Sequence, residues 1–272
     1  MRDSELLRGI PRIRRARGFR LYDMQGRRYL DLFRDGALLG HRSAGSLTAM
    51  KSALSQGLAA ALPSVWEQRL VAALARAFPR HAVVRLYASG EAARTAARRA
   101  LGGEQPMAIH DPACGAPLAP GTQAGFWRPF LPHVEGLRVL LPVLPVTVGG
   151  APAAACFAGG AHDIPVSDTL PAFILAAALR GFASLPAMDS GECPLSTPAV
   201  DKALDSARGW ARTGPYVRAV FPESEYRRVH AEFLRAGVLL YPGYPGPSVL
   251  PGECSPGEVK LLVDLFSGIP GG

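Results

Sequence analysis

From Val139 to Ala161 the chain carries no charged residue, and no other feature constrains its fold as strongly. A helix of that length would span a bilayer. The stretch, however, contains Pro142, Pro145, Pro152, Gly149 and Gly150, and each proline in a helix interior costs ~3 kcal/mol. It is therefore expected to form buried strands, near 138–148 and 153–158, joined by turns. The rest of the composition agrees with a packed interior. With 48% apolar and 19% charged residues, a disordered chain is excluded. A chain of 272 residues buries enough surface to need no disulfide or metal staple.

The four cysteines, Cys114, Cys156, Cys193 and Cys254, form no CxxC pair, so no metal site is expected. No secretory segment follows the charged opening, and the protein is expected to be cytoplasmic, with no membrane partner. The net charge of +8 is concentrated at the start: residues 1–28 hold nine arginines against Asp3, Glu5 and Asp23. Such an arm suits an anionic partner. No aromatic-interleaved basic stripe follows the arm, and 27 arginines against three lysines speak of a compositional bias. Nucleic acid is accordingly not an expected partner.

Strand and helix signals alternate along the chain, which predicts an α/β fold with a smaller α+β part. Phe19–Asp23 and Arg28–Phe33 flank a turn at Gly26 and read as a hairpin. Helices are expected over about 46–61, from a capping box at Ser64-Val-Trp-Glu67 to Phe78, over 91–101, over 170–183, over 198–212, over 223–236, and from a second capping box at Ser255-Pro-Gly-Glu258 to Gly268. Strands are expected at Ala82–Tyr87, Tyr216–Phe221 and Val238–Tyr241. Residues 110–136, rich in Pro and Gly, read as loop, and Pro186–Pro198 as a connection.

Several motifs, in order, resemble the class III aminotransferases, fold type I pyridoxal-phosphate enzymes close to glutamate-1-semialdehyde aminotransferase. They are Asp23-x-x-Gly-Arg-x-Tyr-Leu-Asp31, Leu39-Gly-His41, Ala88-Ser-Gly-Glu-Ala92, Val148-Gly-Gly-Ala-Pro-Ala-Ala-Ala-Cys-Phe157, Leu170-Pro171 and Phe233-Leu-Arg-Ala-Gly-Val-Leu-Leu-Tyr-Pro242. The resemblance implies a fold type I large domain with a trimmed central sheet and a small α+β domain. The expected division is 1–45 (N-terminal segment and hairpin of the small domain), 46–190 (large domain) and 191–272 (C-terminal small domain). It also implies a homodimer, and pyridoxal phosphate as the family's cofactor.

The departures from that pattern bear on chemistry. The family holds its cofactor as a Schiff base on a lysine. Counting back from Pro152, that position falls near Pro145 in Leu144-Pro-Val-Thr-Val148, and the only lysines are Lys51, Lys202 and Lys260. The acid that the family sets against the pyridine nitrogen has no motif either; Asp111 and Glu135 lie between Gly90 and Pro145, but neither sits in a recognisable acidic motif. Asp111-Pro-Ala-Cys-Gly115 stands where the family shows its aromatic platform. No catalytic residue and no bound cofactor are therefore expected. Ser89 and Gly90 remain as cofactor-binding candidates, where amides at a helix start favour phosphate or another small anion, weakly held. A plain Ser N-cap explains the same Ser89. Ser167 or Thr169 offers a loose match to the family's phosphate-binding Thr. The expected function is an aminotransferase-like protein that has lost transamination and serves as a binding or regulatory scaffold. The alternatives are an active class III aminotransferase or aminomutase and an unrelated α/β binding protein with a basic arm. His110-Asp111 and His162-Asp163 are sequence neighbours, which rarely face each other, and no Walker A or GxSxG motif occurs.

Overall fold

A computed structural model describes residues 5–33, 38–102, 108–185 and 197–268. In chain order the elements are α1 (Glu5–Arg8), β1 (Ile13–Arg17), β2 (Arg20–Asp23), β3 (Arg28–Asp31), α2 (Ala44–Ser55), α3 (Val65–Ala77), β4 (Val83–Tyr87) and α4 (Gly90–Ala100). Then come β5 (Ile109–His110), β6 (Ala124–Trp127), β7 (Val139–Pro142), β8 (Ala153–Phe157) and α5 (Ala172–Phe182). The chain closes with α6 (Pro198–Ser206), β9 (Trp210–Thr213), β10 (Tyr216–Ala219), α7 (Glu223–Ala236), β11 (Val238–Leu239), β12 (Ser248–Val249) and α8 (Pro256–Ser267).

The uncharged run forms the middle of a five-stranded sheet of order β4-β8-β7-β6-β5. Its side chains alternate as the strand period requires. Val84, Leu86, Leu140, Ala154 and Cys156 face Leu70 and Leu74 of α3 and Leu175 and Ala178 of α5. Tyr87, Val139, Leu141, Ala155 and Phe157 face Ala93, Ala96, Ala97 and Ala100 of α4. Because α4 presents only methyl groups, its backbone lies close to the sheet, and a larger side chain at fully buried Ala97 would overpack by ~1–3 kcal/mol. Both faces are covered, which is why the strands read as continuous apolar runs rather than as alternation.

The hairpin β2–β3 forms as expected, with Gly26 at φ +83° in its turn. Flanked by β1 and, in parallel, by β11, it makes a four-stranded sheet, while β12-β10-β9 is a separate three-stranded one. A second core gathers Leu30 and Leu32 with Trp210, Phe221, Tyr226, Phe233, Leu240 and Phe266. The Ser255/Glu258 capping box is complete, and Glu258 also takes a bidentate pair from Arg20, tying the C-terminal helix to the hairpin.

Four expectations are corrected. The helix expected over 46–61 stops at Ser55, because Gly57 at φ +78° turns the chain out of the helix. Ser64 stands at the start of α3, but its hydroxyl makes no cap bond, so that capping box does not form. The supposed loop 110–136 contains strand β6, and the supposed helix 198–212 ends at Ser206 and gives way to β9. Of the connection expected at Pro186–Pro198, residues 186–196 lie outside the described residues. No helix among the described residues is long and apolar enough to cross a membrane.

Candidate functional site

Strands β5, β6 and β7 run parallel. Strand β8 is antiparallel to both β7 and β4. The C-terminal ends of β4, β5, β6 and β7 therefore share one edge of the sheet, where open α/β sheets carry their ligands. That edge brings together Ser89, Asp111, Arg128 and the approach to Pro145, four positions scattered over more than fifty residues.

Ser89 is extended and caps α4; its Oγ accepts the Ala92 amide at 3.1 Å. One residue earlier, the Ala88 amide donates to Asp168 Oδ2 at 2.8 Å. Asp168 is held there because residues 165–168 run along the outer edge of β4. The Asp168 amide donates to Leu86 O at 2.9 Å, the Leu86 amide to Ser167 Oγ at 3.2 Å, and the Tyr87 hydroxyl to Pro165 O at 3.0 Å. Ser167 thus serves the sheet edge of its own chain. The helix amides that remain for an anion are those of Gly90 and Glu91. The Arg94 side chain folds back over this turn: a Cβ on Gly90 would stand 3.2 Å from its Nη1. Among the described residues Arg94 meets no carboxylate; its guanidinium lies 5.8 Å from the centre of the Phe126 ring. A cation at the positive end of a helix is poorly placed by itself and well placed beside a bound anion.

Next along the edge, Arg128 follows β6 and is 5% exposed. It forms a bidentate pair with Asp111, from Nε to Oδ1 at 2.6 Å and from Nη2 to Oδ2 at 2.7 Å. Its guanidinium also lies 5.6 Å from the Phe126 ring centre and 5.1 Å from that of Tyr216. Asp111 additionally caps the turn 112–114 through the Ala113 amide. Sequence reading did not connect Asp111 with Arg128, which lies 17 residues on, nor bring in Phe126 and Tyr216.

Beyond β7 the chain reaches Pro145, which is buried and whose carbonyl accepts the Leu38 amide at 3.0 Å. The following residue packs under α5, where a Cβ on Gly181 would fall 2.7 Å from Val146 Cγ2. Lys51, Lys202 and Lys260 are exposed on α2, α6 and α8. Glu135 is a surface partner of Arg80.

The remaining sequence candidates have structural partners. Asp163 pairs with Arg99, not with His162. Burial raises the thiols of Cys156, Cys114 and Cys254, the last to about 11, so none is an activated nucleophile. No group of three or more metal-ligating side chains occurs among the described residues. A close pair that sequence reading passed over is His41 Nε2 to Asp31 Oδ2 at 2.6 Å, beside the hairpin.

No family model matches this sequence. A protein of Treponema pallidum (strain Nichols) described as uncharacterized is 32% identical over 91% of each chain. A glutamate-1-semialdehyde 2,1-aminomutase of Syntrophus aciditrophicus is 36% identical over 98 residues, 35% of this chain and 23% of that one. Among solved structures, a glutamate-1-semialdehyde aminomutase from Pseudomonas aeruginosa PAO1 superposes with a TM-score of 0.70 at 16% identity, over 95% of this chain and 87% of that chain. This protein therefore belongs to one family with the Treponema pallidum protein, and it has the fold of the class III aminotransferases.

Proposed function

We propose that this chain is an aminotransferase-like protein that does not transaminate and instead binds a small anion at the edge of its central sheet. The observation that carries the reading is Pro145, buried at the end of the segment that follows β7, where the resemblance calls for the Schiff-base lysine. Proline has no side-chain amine, and each of the three lysines sits exposed on a helix.

Pyridoxal phosphate, which the fold family implies, does not fit the residues present. The amine is missing at Pro145. At the end of the neighbouring strand the buried group is the cation Arg128, neutralised by Asp111, rather than a lone acid that would hold a pyridinium. The aromatic rings beside it, Phe126 and Tyr216, already carry guanidinium groups. What remains suits a smaller ligand: the Gly90 and Glu91 amides with Ser89 beside them, and Arg94 close by, without a carboxylate partner among the described residues. The exposed Asp168 carboxylate against Ala88 opposes an anion, so affinity for phosphate is weak, in the millimolar range at about −4 kcal/mol.

Two further parts of the reading concern assembly and compartment. Leu54, Leu62 and Val65, 43%, 55% and 54% exposed along the passage from α2 to α3, offer an apolar strip that a second copy would cover. The free thiols of Cys114, Cys156 and Cys254 suit a reducing, cytoplasmic setting. The test is spectroscopic. Protein incubated with pyridoxal phosphate and then dialysed should keep no visible absorbance and give no keto-acid product with amino-acid donors. Retained colour with turnover would restore the enzyme reading.

A further inference from the structure

We propose that the Arg15–Tyr22–Arg28 row at the edge of the β1–β2–β3 sheet, with the arginines beside it on β1, binds a single-stranded nucleic acid, independently of the anion site. Charged edge strands commonly serve only to block pairing with other chains. Here β1 is the edge of its sheet, and three features go beyond that role.

The first is a bulge. The register passes from Ile13 opposite Asp23 directly to Arg15 opposite Tyr22, leaving Arg14 as an extra residue. Bulges re-aim side chains, and this one lets the consecutive Arg14 and Arg15 line one depression of 240 Å³ with Tyr22, Asp23 and Gly26.

The second is a row in direct register across three strands, Arg15–Tyr22–Arg28. The Arg15 guanidinium lies 4.3 Å from the centre of the Tyr22 ring. A planar guanidinium stacked on a ring is a platform on which a base can stack in turn. The aromatic component comes from the neighbouring strand, so the basic run itself does not reveal it.

The third is the charge balance. Arg12, Arg14 and Arg17 are exposed, none of these or Arg15 has a carboxylate partner among the described residues, and Arg15 stacks on Tyr22. Glu258 and Glu253 are engaged with Arg20, and Glu258 also with Arg28. Asp23, the acid in the depression, accepts the Gln25 and Arg27 amides and the Tyr29 hydroxyl. Four guanidiniums are thus left for phosphates, each able to make bidentate contacts. A lipid surface fits less well, because the exposed apolar residues here are Ile13 and Met24, too few to enter a bilayer. A duplex would hide its bases from the Tyr22 platform.

Fluorescence anisotropy with a labelled oligouridine tests the proposal on the full chain. Binding is expected at low salt, with a log–log salt slope of about −3 for four contacts. Replacing Arg14 and Arg15 together by Ala should weaken it roughly tenfold or more. Tyr22→Leu should weaken it about fivefold or more with the salt slope unchanged. Arg208→Ala, which removes an exposed charge elsewhere, should have no effect. If Tyr22→Leu fails to fold, Arg14→Glu on the exposed bulge still tests the site and should abolish binding. The proposal is overturned by absence of oligouridine binding at low salt, by an equal loss with Arg208→Ala, or by capture on phosphatidylglycerol vesicles without oligouridine binding.

Discussion

The amide of Leu38 donates to the carbonyl of Pro145 at 3.0 Å, and both residues are buried. This bond lies at the end of the segment after β7, where the proposed reading puts the family's lysine position. Changing Pro145 to Lys would therefore place an ammonium in a closed site beside Leu144, which is 2% exposed. Burial of an unpaired charge costs several kcal/mol. Pro145→Lys is expected to lower the midpoint of thermal unfolding and to gain no colour with pyridoxal phosphate. A stable, coloured variant would show that the site is still shaped for the cofactor.

The Asp111–Arg128 pair is expected to behave as a buried ion pair. Asp111→Ala removes the bidentate acceptor of Arg128, which is 5% exposed, and should destabilise by about 3 kcal/mol in urea unfolding. Removing both charges, as Asp111→Ala with Arg128→Leu, should be milder than the single change. An equal or larger loss in the double variant would mean that the pair is not a coupled unit.

Hairpin, capping box and C-terminal helix should share one pH dependence. Burial pushes the Glu258 carboxyl up, but hydrogen bonds from Arg20 and Ser255 outweigh it and hold it at about 2, below its ordinary 4.5. A carboxylate held low in the folded state stabilises above its unfolded pKa, and that contribution is lost as pH falls. The loss should run between about pH 4.5 and 2 and amount to about 2 kcal/mol, allowing for solvent screening. Arg20→Ala should flatten this part of the stability–pH curve. An unchanged curve would remove the pair from the account.

At the α4 start the two roles of Ser89 can be separated. Ser89→Ala should cost ~1 kcal/mol as a lost cap. Asp168→Ala removes the carboxylate bound to the Ala88 amide and should tighten phosphate binding several-fold in a titration followed by amide shifts. Arg94→Ala should weaken it. If neither variant alters the phosphate response, Ser89 and Gly90 form a cap and nothing more.

What could be read in the sequence was what is encoded locally. The β2–β3 turn needs Gly26, α7 stops at Gly237 with φ +92°, and Ser255 and Glu258 lie three residues apart in their capping box. Strand β6 escaped because Ala-Gly-Phe-Trp looks like part of a turn. The structure gives Gly125 its reason: a Cβ there would stand 2.8 Å from Leu137 Cδ1 and 3.1 Å from His110 O, so the close approach of neighbours requires glycine. Ser64 shows the opposite error, a capping pattern whose hydroxyl makes no cap bond. The candidate site was legible only at Ser89-Gly90 and Pro145. Its Arg128–Asp111 pair, its two rings and the Asp168 contact depend on pairings across the sheet, which no local spacing encodes.

Assembly is open to a direct measurement. The exposed Leu54, Leu62 and Val65 predict a homodimer in sedimentation at micromolar concentration, and Leu62→Glu should shift it toward monomer. A monomeric wild type would contradict this part of the account.

The claim that transamination chemistry has been lost is tested most directly by borohydride trapping. The purified protein is mixed with pyridoxal phosphate, reduced, digested and mapped by mass spectrometry. The account predicts no stoichiometric adduct on any single lysine, only scattered traces on exposed Lys51, Lys202 and Lys260. A stoichiometric adduct confined to one of these three would contradict it.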